Sequence, residues 1–139
     1  MEPLKTSYCG STFIIDLNKQ KILLIYHKKF QNWIQPGGHL KEGESPEEGA
    51  IRQAYEETGV RVKLVYQKPF MVEEYNNFAG NIIDYQYVAV PVTDNQTLVN
   101  SEESFTLDWF SLEELEHIPV FPDVKTKARI FLTPGFHTE

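Results

Sequence analysis

Residues 36–60 read PGGHLKEGESPEEGAIRQAYEETGV, and the rest of the chain is best understood outward from them. Ser45-Pro46-Glu47-Glu48 is a compact helix start. Ser45 can accept from the first-turn backbone, Pro46 needs no N–H at the first helical position, and Glu48 can reach back to close a capping box. Gly59 supplies the stop. At about 100° per residue, Ala50, Ala54 and Ile51 form the expected core stripe, while Arg52, Gln53, Glu56 and Glu57 share the opposite face. Two clustered carboxylates repel each other unless a cation intervenes, and Gln53 brings a further oxygen to the same face. Gly49 falls under this polar stripe, where it is expected to leave an open concavity at a cost of about 1 kcal/mol of helix propensity relative to alanine. Pro36-Gly37-Gly38 is expected as irregular backbone beside the helix start, with carbonyls suited to a hard cation and N–H groups suited to phosphate oxygens. The bland alternative is a solvated helix face carrying an Arg52–Glu56 pair at spacing four.

Upstream, residues 10–15 and 21–27 are apolar runs joined by the polar residues 16–20, a pattern that predicts a β-hairpin. Trp33-Ile34-Gln35 reads as a short strand ending at Pro36. Downstream, residues 61–67, 70–74 and 82–92 are rich in β-branched and aromatic side chains and predict three strands. In the last of them Tyr85, Tyr87 and Ala89 alternate against Asp84, Gln86 and Val88. Ser111-Leu112-Glu113-Glu114-Leu115 repeats the capping-box logic for a short helix, and residues 124–132 predict a final helix with Val124, Ala128, Phe131 and Leu132 inward. Strands and helices intermingle without a strict βαβ rhythm, so the expected class is α/β with a mixed β-sheet flanked by helices.

The chain has 139 residues, 41% of them hydrophobic, enough for one core, so a single domain over residues 1–139 is expected. Thirteen Lys and Arg against twenty Asp and Glu give a formal charge of −7. That sign disfavours polymeric nucleic acid as the main ligand, and an anionic small ligand would need a local basic pocket or a bound cation. The longest plainly apolar run, residues 22–26, is far short of the roughly 20 residues that span a bilayer. With no secretory pattern near Met1, no membrane partner and a cytoplasmic location are the expectations. Cys9 is the one cysteine, which excludes an internal disulfide, and its setting suggests a small strand residue. Nothing in the pattern speaks for or against a homodimer.

Gly38, Glu44 and the run Arg52-Gln53-Ala54-Tyr55-Glu56-Glu57-Thr58-Gly59-Val60 fit G-x5-E-x7-R-E-U-x-E-E-x-G-U, with U aliphatic, at every fixed position except 53. The segment therefore resembles the box that defines the Nudix hydrolases. Residues 33–36 resemble that family's lead-in strand, and residues 108–115 resemble a strand-to-helix segment near its C-terminus. The resemblance implies an α/β/α sandwich and hydrolysis of a small-molecule nucleotide, a nucleoside diphosphate linked to a further moiety, assisted by Mg²⁺ or Mn²⁺. It places Glu56 and Glu57 as metal ligands, Arg52 as the residue that orients them, Glu44 as the box glutamate, and Gly37 where a backbone carbonyl meets the metal. Such chemistry suits Mg²⁺, which takes oxygen ligands, uses few carboxylates and keeps waters.

Position 53 is the departure. An amide cannot accept a proton as a carboxylate does, so Gln53 weakens a ligand and removes a candidate base. Some members of the family draw the base from a later loop, and Glu103, six residues before Trp109 and next to Glu102, has the spacing for that role or for an extra metal ligand. The rival reading is a catalytically weak Nudix-fold module that binds or senses a nucleotide. Phe13 and Trp33 are expected in the core, and Phe30, Tyr75, Phe78 and Tyr85 are candidates to stack on a base.

Overall fold

Strands β1 (Thr6–Asp16) and β2 (Lys21–His27) form the predicted hairpin, paired antiparallel through Ile14↔Leu23 and Ile15↔Ile22. The computed structural model describes residues 5–77, 80–99 and 106–136. After the hairpin come β3 (Asn32–Ile34), β4 (Gly37–His39), α1 (Pro46–Thr58), β5 (Val62–Leu64), β6 (Met71–Asn77) and β7 (Gly80–Pro91). The chain then forms β8 (Thr106–Phe110), α2 (Leu112–Leu115) and α3 (Pro122–Phe131). The sheet runs β3-β2-β1-β7-β5, with β4 on β1, β6 on β7 and β8 on β2. It is mixed: β1 and β7 run parallel from Thr6↔Asn81 to Ile14↔Ala89, and the other pairs are antiparallel. No described helix is long and apolar enough to cross a membrane.

Consecutive apolar residues in β1 and β2 serve opposite faces, which is why these strands read as unbroken runs. Phe13, Ile15, Ile22 and Leu24 join Val124, Ala128 and Phe131 of α3 in one core, and Ile14 and Leu23 join Ala54 of α1 and Ala89 in the other. Helices thus cover both faces, giving the expected sandwich. The Phe13 and Phe131 rings meet with centroids 5.1 Å apart, and Trp33 packs against the same core.

Helix α1 begins and ends as the sequence predicts. Ser45 and Glu48 exchange both capping-box hydrogen bonds, and Gly59 closes the helix at φ 78°. Its buried row differs from the expected stripe, however: Gly49, Ala50, Ala54 and Thr58 face inward, while Ile51 is 38% exposed. The contact is set by small residues because the helix lies close to β1. The Thr12 hydroxyl donates to the Ala50 carbonyl at 3.1 Å, and a Cβ on Gly10 would come within 3.0 Å of the Ala50 nitrogen. Gly49 leaves no concavity either. Its missing side chain makes room for Leu40, and any Cβ there would overlap the Leu40 Cδ2 methyl.

The diglycine is a second correction. Gly37 and Gly38 are regular backbone, with Ser11↔Gly37 and Gly10↔Gly38 in antiparallel register on β1. Glycine is needed because a Cβ on Gly37 would lie 2.5 Å from the Ser11 Cβ and 2.8 Å from its Cα. Strand β4 also lies along the middle and end of α1, not beside its start, and this places it against Arg52, Gln53 and Glu57.

Candidate active site

Arg52 organises the polar face of α1. Its Nε and Nη2 donate to the Glu44 carboxylate at 2.7 and 2.9 Å, its Nη1 to Glu56 Oε1 at 2.9 Å, and its Nη2 also to the His39 carbonyl at 3.1 Å. Such a two-pronged guanidinium–carboxylate pair fixes geometry as well as charge. The Glu44 side chain is 13% exposed, and hydrogen bonds from Arg52 and then from the Lys41 N–H at 2.9 Å hold its carboxyl down at about 2. The same pair raises the Arg52 pKa still further. Glu56 lies one turn later with its side chain 52% exposed.

Strand β4 lies against this face of α1. The Gly37 N–H donates to Glu57 Oε1 at 2.7 Å. The Gln53 amide donates to the His39 carbonyl at 3.3 Å, and Gly38 leaves room for it, since a Cβ there would approach Gln53 Nε2 to 2.6 Å. Of the residues expected at the site, Glu44, Arg52, Gln53 and Glu56 are joined through Arg52 and the His39 carbonyl, and Glu57 is held by Gly37 of the same strand β4. Gly37's contact to Glu57 is through its N–H, whereas the expectation concerned its carbonyl. Glu102, Glu103 and Phe78 lie outside the described residues.

The donor set fits a small hard cation. Among the described residues no group of three or more His, Cys, Asp and Glu side chains is placed to hold a metal ion, and α1 offers two carboxylates adjacent in sequence and an amide. Mg²⁺ is commonly held by one or two carboxylates with water completing its shell. Cys9 is no part of this chemistry: burial, and then the Asp84 charge, push its thiol up to about 11, so the thiolate is scarce at neutral pH.

On the other face of the sheet a groove of about 530 Å³ opens between β6, β7 and the start of α3. Phe30, Tyr75 and Phe121 line it, exposed by 50%, 49% and 40%. Phe30 stacks on His27 at 4.3 Å and meets Phe121 edge-on at 6.2 Å. Of the four aromatics singled out for base stacking, Phe30 and Tyr75 border this groove, and Tyr85 borders a separate hollow beside Glu44. Phe121 was not anticipated; the available signal was a large apolar residue just before the proline that starts α3.

Glu73, Asp84, Gln86 and Asp123 give the otherwise apolar groove a polar patch. Lys127, 3% exposed, donates to Glu73 Oε1, to Gln86 Oε1 at 2.6 Å and to Asp123 Oδ2 at 2.9 Å. Gln86 in turn donates to Glu73 Oε1 at 2.7 Å and to Asp84 Oδ2 at 3.1 Å, and the Ser11 hydroxyl donates to the same Asp84 oxygen at 3.1 Å. Burial pushes the Asp84 carboxyl above the usual aspartate range, while Lys127 draws Glu73 below the usual glutamate range. Gln35 lines the groove and Gly37 touches Glu57. Two residues of chain reach at most about 7 Å, so the segment 35–37 runs from the groove to the polar face of α1.

Comparison with known proteins gives a consistent picture. A family model described as NUDIX domain matches residues 9–132. A Bacillus subtilis (strain 168) protein named "Putative 8-oxo-dGTP diphosphatase" is 36% identical over 129 residues, covering 88% of this chain and 78% of that protein. Among solved structures, a NUDIX-family hydrolase from Clostridium perfringens superposes with a TM-score of 0.79 at 25% identity, over 93% of this chain and 97% of that one. A C. elegans Ap4A hydrolase in a binary complex superposes with a TM-score of 0.74 at 19% identity, over 90% and 94% of the two chains, which is a likeness of fold.

Proposed function

The chain belongs to the Nudix family and is a pyrophosphohydrolase of nucleoside diphosphate derivatives; from that premise we propose that Glu56 and Glu57 hold a Mg²⁺ or Mn²⁺ ion on the polar face of α1. The observation that carries this reading is the Arg52 fork, which ties Glu44, Glu56 and the His39 carbonyl into one rigid unit while Gly37 holds Glu57. A bound divalent cation supplies charge neutralisation on the diphosphate oxygens and a polarised water.

The residues of the chain divide the remaining work. Glu44 keeps Arg52 in place and stays ionised far below neutral pH, so Arg52 can hold the Glu56 carboxylate without drifting. Gln53 braces β4 through the His39 carbonyl and cannot take a proton from water. We assign proton acceptance, or a further metal contact, to Glu103 on the strength of its spacing from Trp109. The aromatic groove receives the base, with Phe30, Tyr75 and Phe121 as the stacking surfaces, and the segment 35–37 connects base to diphosphate. The diphosphatase name of the B. subtilis relative supports a nucleoside triphosphate among the substrates.

The test is phosphate release, after phosphatase coupling, from nucleoside triphosphates, nucleotide sugars and dinucleoside polyphosphates. Turnover should require Mg²⁺ or Mn²⁺ and stop in excess chelator. Glu56→Gln and Glu57→Gln should each lower it at least about a hundredfold, the equivalent of roughly 2.7 kcal/mol of barrier. Equal cleavage in chelator, or near-native rates in both variants, would overturn the proposal.

A further inference from the structure

Asp84 is 7% exposed in the centre of β7, in register with Cys9 of β1 and Glu73 of β6, and it lines the aromatic groove. Its two oxygens are unequal. Oδ2 accepts from Ser11 and Gln86, whereas Oδ1 is buried with no hydrogen-bond partner among the described residues. A buried carboxylate oxygen left without a donor is costly, and such groups in folded proteins call for an explanation.

Lys127 fixes this arrangement. Because its ammonium donates to Gln86 Oε1, the Gln86 amide can turn only its N–H groups toward Glu73 and Asp84. The polarity of the Asp84 environment is thereby set from one side: both donors are spent on Oδ2. The cluster also gathers Glu73 and Asp123 around the single ammonium of Lys127, with Asp84 joined to it through Gln86, so it is net acidic. An acidic floor repels phosphate oxygens and suits the N–H edge of a ligand whose phosphates lie elsewhere.

Resting on the reading that the groove takes the base, we propose that Asp84 determines specificity there: its Oδ1 accepts from a heterocycle edge with adjacent N–H donors, as on guanine. A carboxylate is acceptor-only, so the matching partner must donate. Guanine offers a ring N–H next to an amino group. Adenine sets a ring-nitrogen acceptor beside its amino group, so it can give Oδ1 one hydrogen bond where the guanine edge offers two donors. Asp84 thus acts on the choice of base, and the α1 carboxylates act on the diphosphate.

The test compares GTP, ATP and 1-methyl-GTP, in which the ring N–H is replaced, as probes of the full chain. Each is titrated into metal-free protein and also turned over with Mg²⁺. GTP should bind at least tenfold more tightly than ATP or 1-methyl-GTP, with the same order in kcat/KM carried by KM. Asp84→Asn places an N–H where Oδ1 stands, and it should lower the GTP-to-ATP ratio of kcat/KM at least tenfold. The 1-methyl-GTP comparison uses the unaltered protein and so does not depend on the variant folding. Equal binding of GTP and 1-methyl-GTP, or an unchanged ratio in folded Asp84→Asn, overturns the assignment of Asp84 even if metal-dependent hydrolysis stands. Preference for GTP in binding without any metal-dependent turnover leaves Asp84 as the base reader and removes the hydrolytic reading. Binding of none of the three removes both.

Discussion

Arg52 and Lys127 are each the cationic centre of an acidic cluster, but they lie on opposite faces of one sheet and are built differently. Arg52 meets Glu56 at a sequence distance of 4 and Glu44 at 8, with both cation and carboxylates partly open to solvent. Lys127 is 3% exposed and reaches Glu73 across 54 residues and Gln86 across 41. The first cluster is assembled by one helix and the loop before it; the second exists only after β6, β7 and α3 have come together. An open cluster assembled locally is suited to exchanging ligands and waters, while a buried one assembled by the fold is bound up with stability.

That contrast predicts its largest effect in unfolding. Lys127→Met keeps much of the side-chain volume but strands Glu73 and Asp123 without their cation and frees the Gln86 amide to turn. Removing one partner of a buried pair costs about 3–5 kcal/mol, and since Glu73 is 34% exposed the lower end applies, about 3 kcal/mol. Urea unfolding of Lys127→Met and Arg52→Met checks it. Arg52→Met should lose less than half as much stability while losing most metal-dependent turnover. If the two variants lose equal stability, the distinction between the clusters is wrong.

The same contrast explains what could be read in advance. The hairpin, α1 with both caps, α2 and α3 depend on neighbours within a few residues, and their signals lie in the sequence itself. The Arg52–Glu56 pair belongs to this class. What was missed depends on partners distant in sequence. Glycines 37 and 38 read as a break because nothing local shows that β1 pairs with them. Gly49 read as a hollow because Leu40, which fills it, comes from the preceding loop. Asp84 and Gln86 read as the polar half of an alternating strand, and only the position of Lys127 beneath them reveals a buried network. Ile51 misled for a simpler reason: a helix this close to β1 is seated by alanine and glycine, which leaves the larger side chain outside.

A second test sharpens the comparison at the open cluster. Gln53→Glu restores the family's usual carboxylate beside Glu56 and Glu57, so metal affinity should rise. The gain is opposed by repulsion in the metal-free protein. The substitution also exchanges the donor that now reaches the His39 carbonyl for an acceptor. If proton acceptance lies with Glu103, turnover of Gln53→Glu at saturating Mg²⁺ should change less than about tenfold, and Glu103→Gln should lose more than that. Steady-state rates of both variants on one confirmed substrate decide the matter. A gain of about a hundredfold in Gln53→Glu would mean that the missing carboxylate was the missing base, and that the present chain is a weak enzyme.

The smallest expected effect is a pH dependence at the buried cluster, where Asp84 carries the opposite sign from Glu44. Glu44 is held at about 2, so its contribution to stability is present above the ordinary glutamate range and is lost as pH falls toward 2. Asp84 is shifted upward by burial, opposed by Gln86 and Ser11 and reinforced by the Glu73 charge, so its contribution is present below the ordinary aspartate value and is lost as pH rises through its folded value. The titratable groups around it are Cys9 on β1, Glu73 and Tyr75 on β6, and Lys127 on α3; the hydrogen bonds from Gln86 and Ser11, and then the Lys127 charge, favour the ionised form. Asp84→Asn removes the ionisation and leaves Glu44 untouched, so subtracting the two stability curves isolates the Asp84 contribution. Relative to the parent, the variant should gain with rising pH, by about 1 kcal/mol or less, the scale of one partly compensated hydrogen-bonded group. Thermal unfolding of the two proteins from pH 4 to pH 8 measures the difference. A relative loss for the variant as pH rises would mean that Gln86, Ser11 and Lys127 together outweigh burial at Asp84, making the two clusters alike in sign after all.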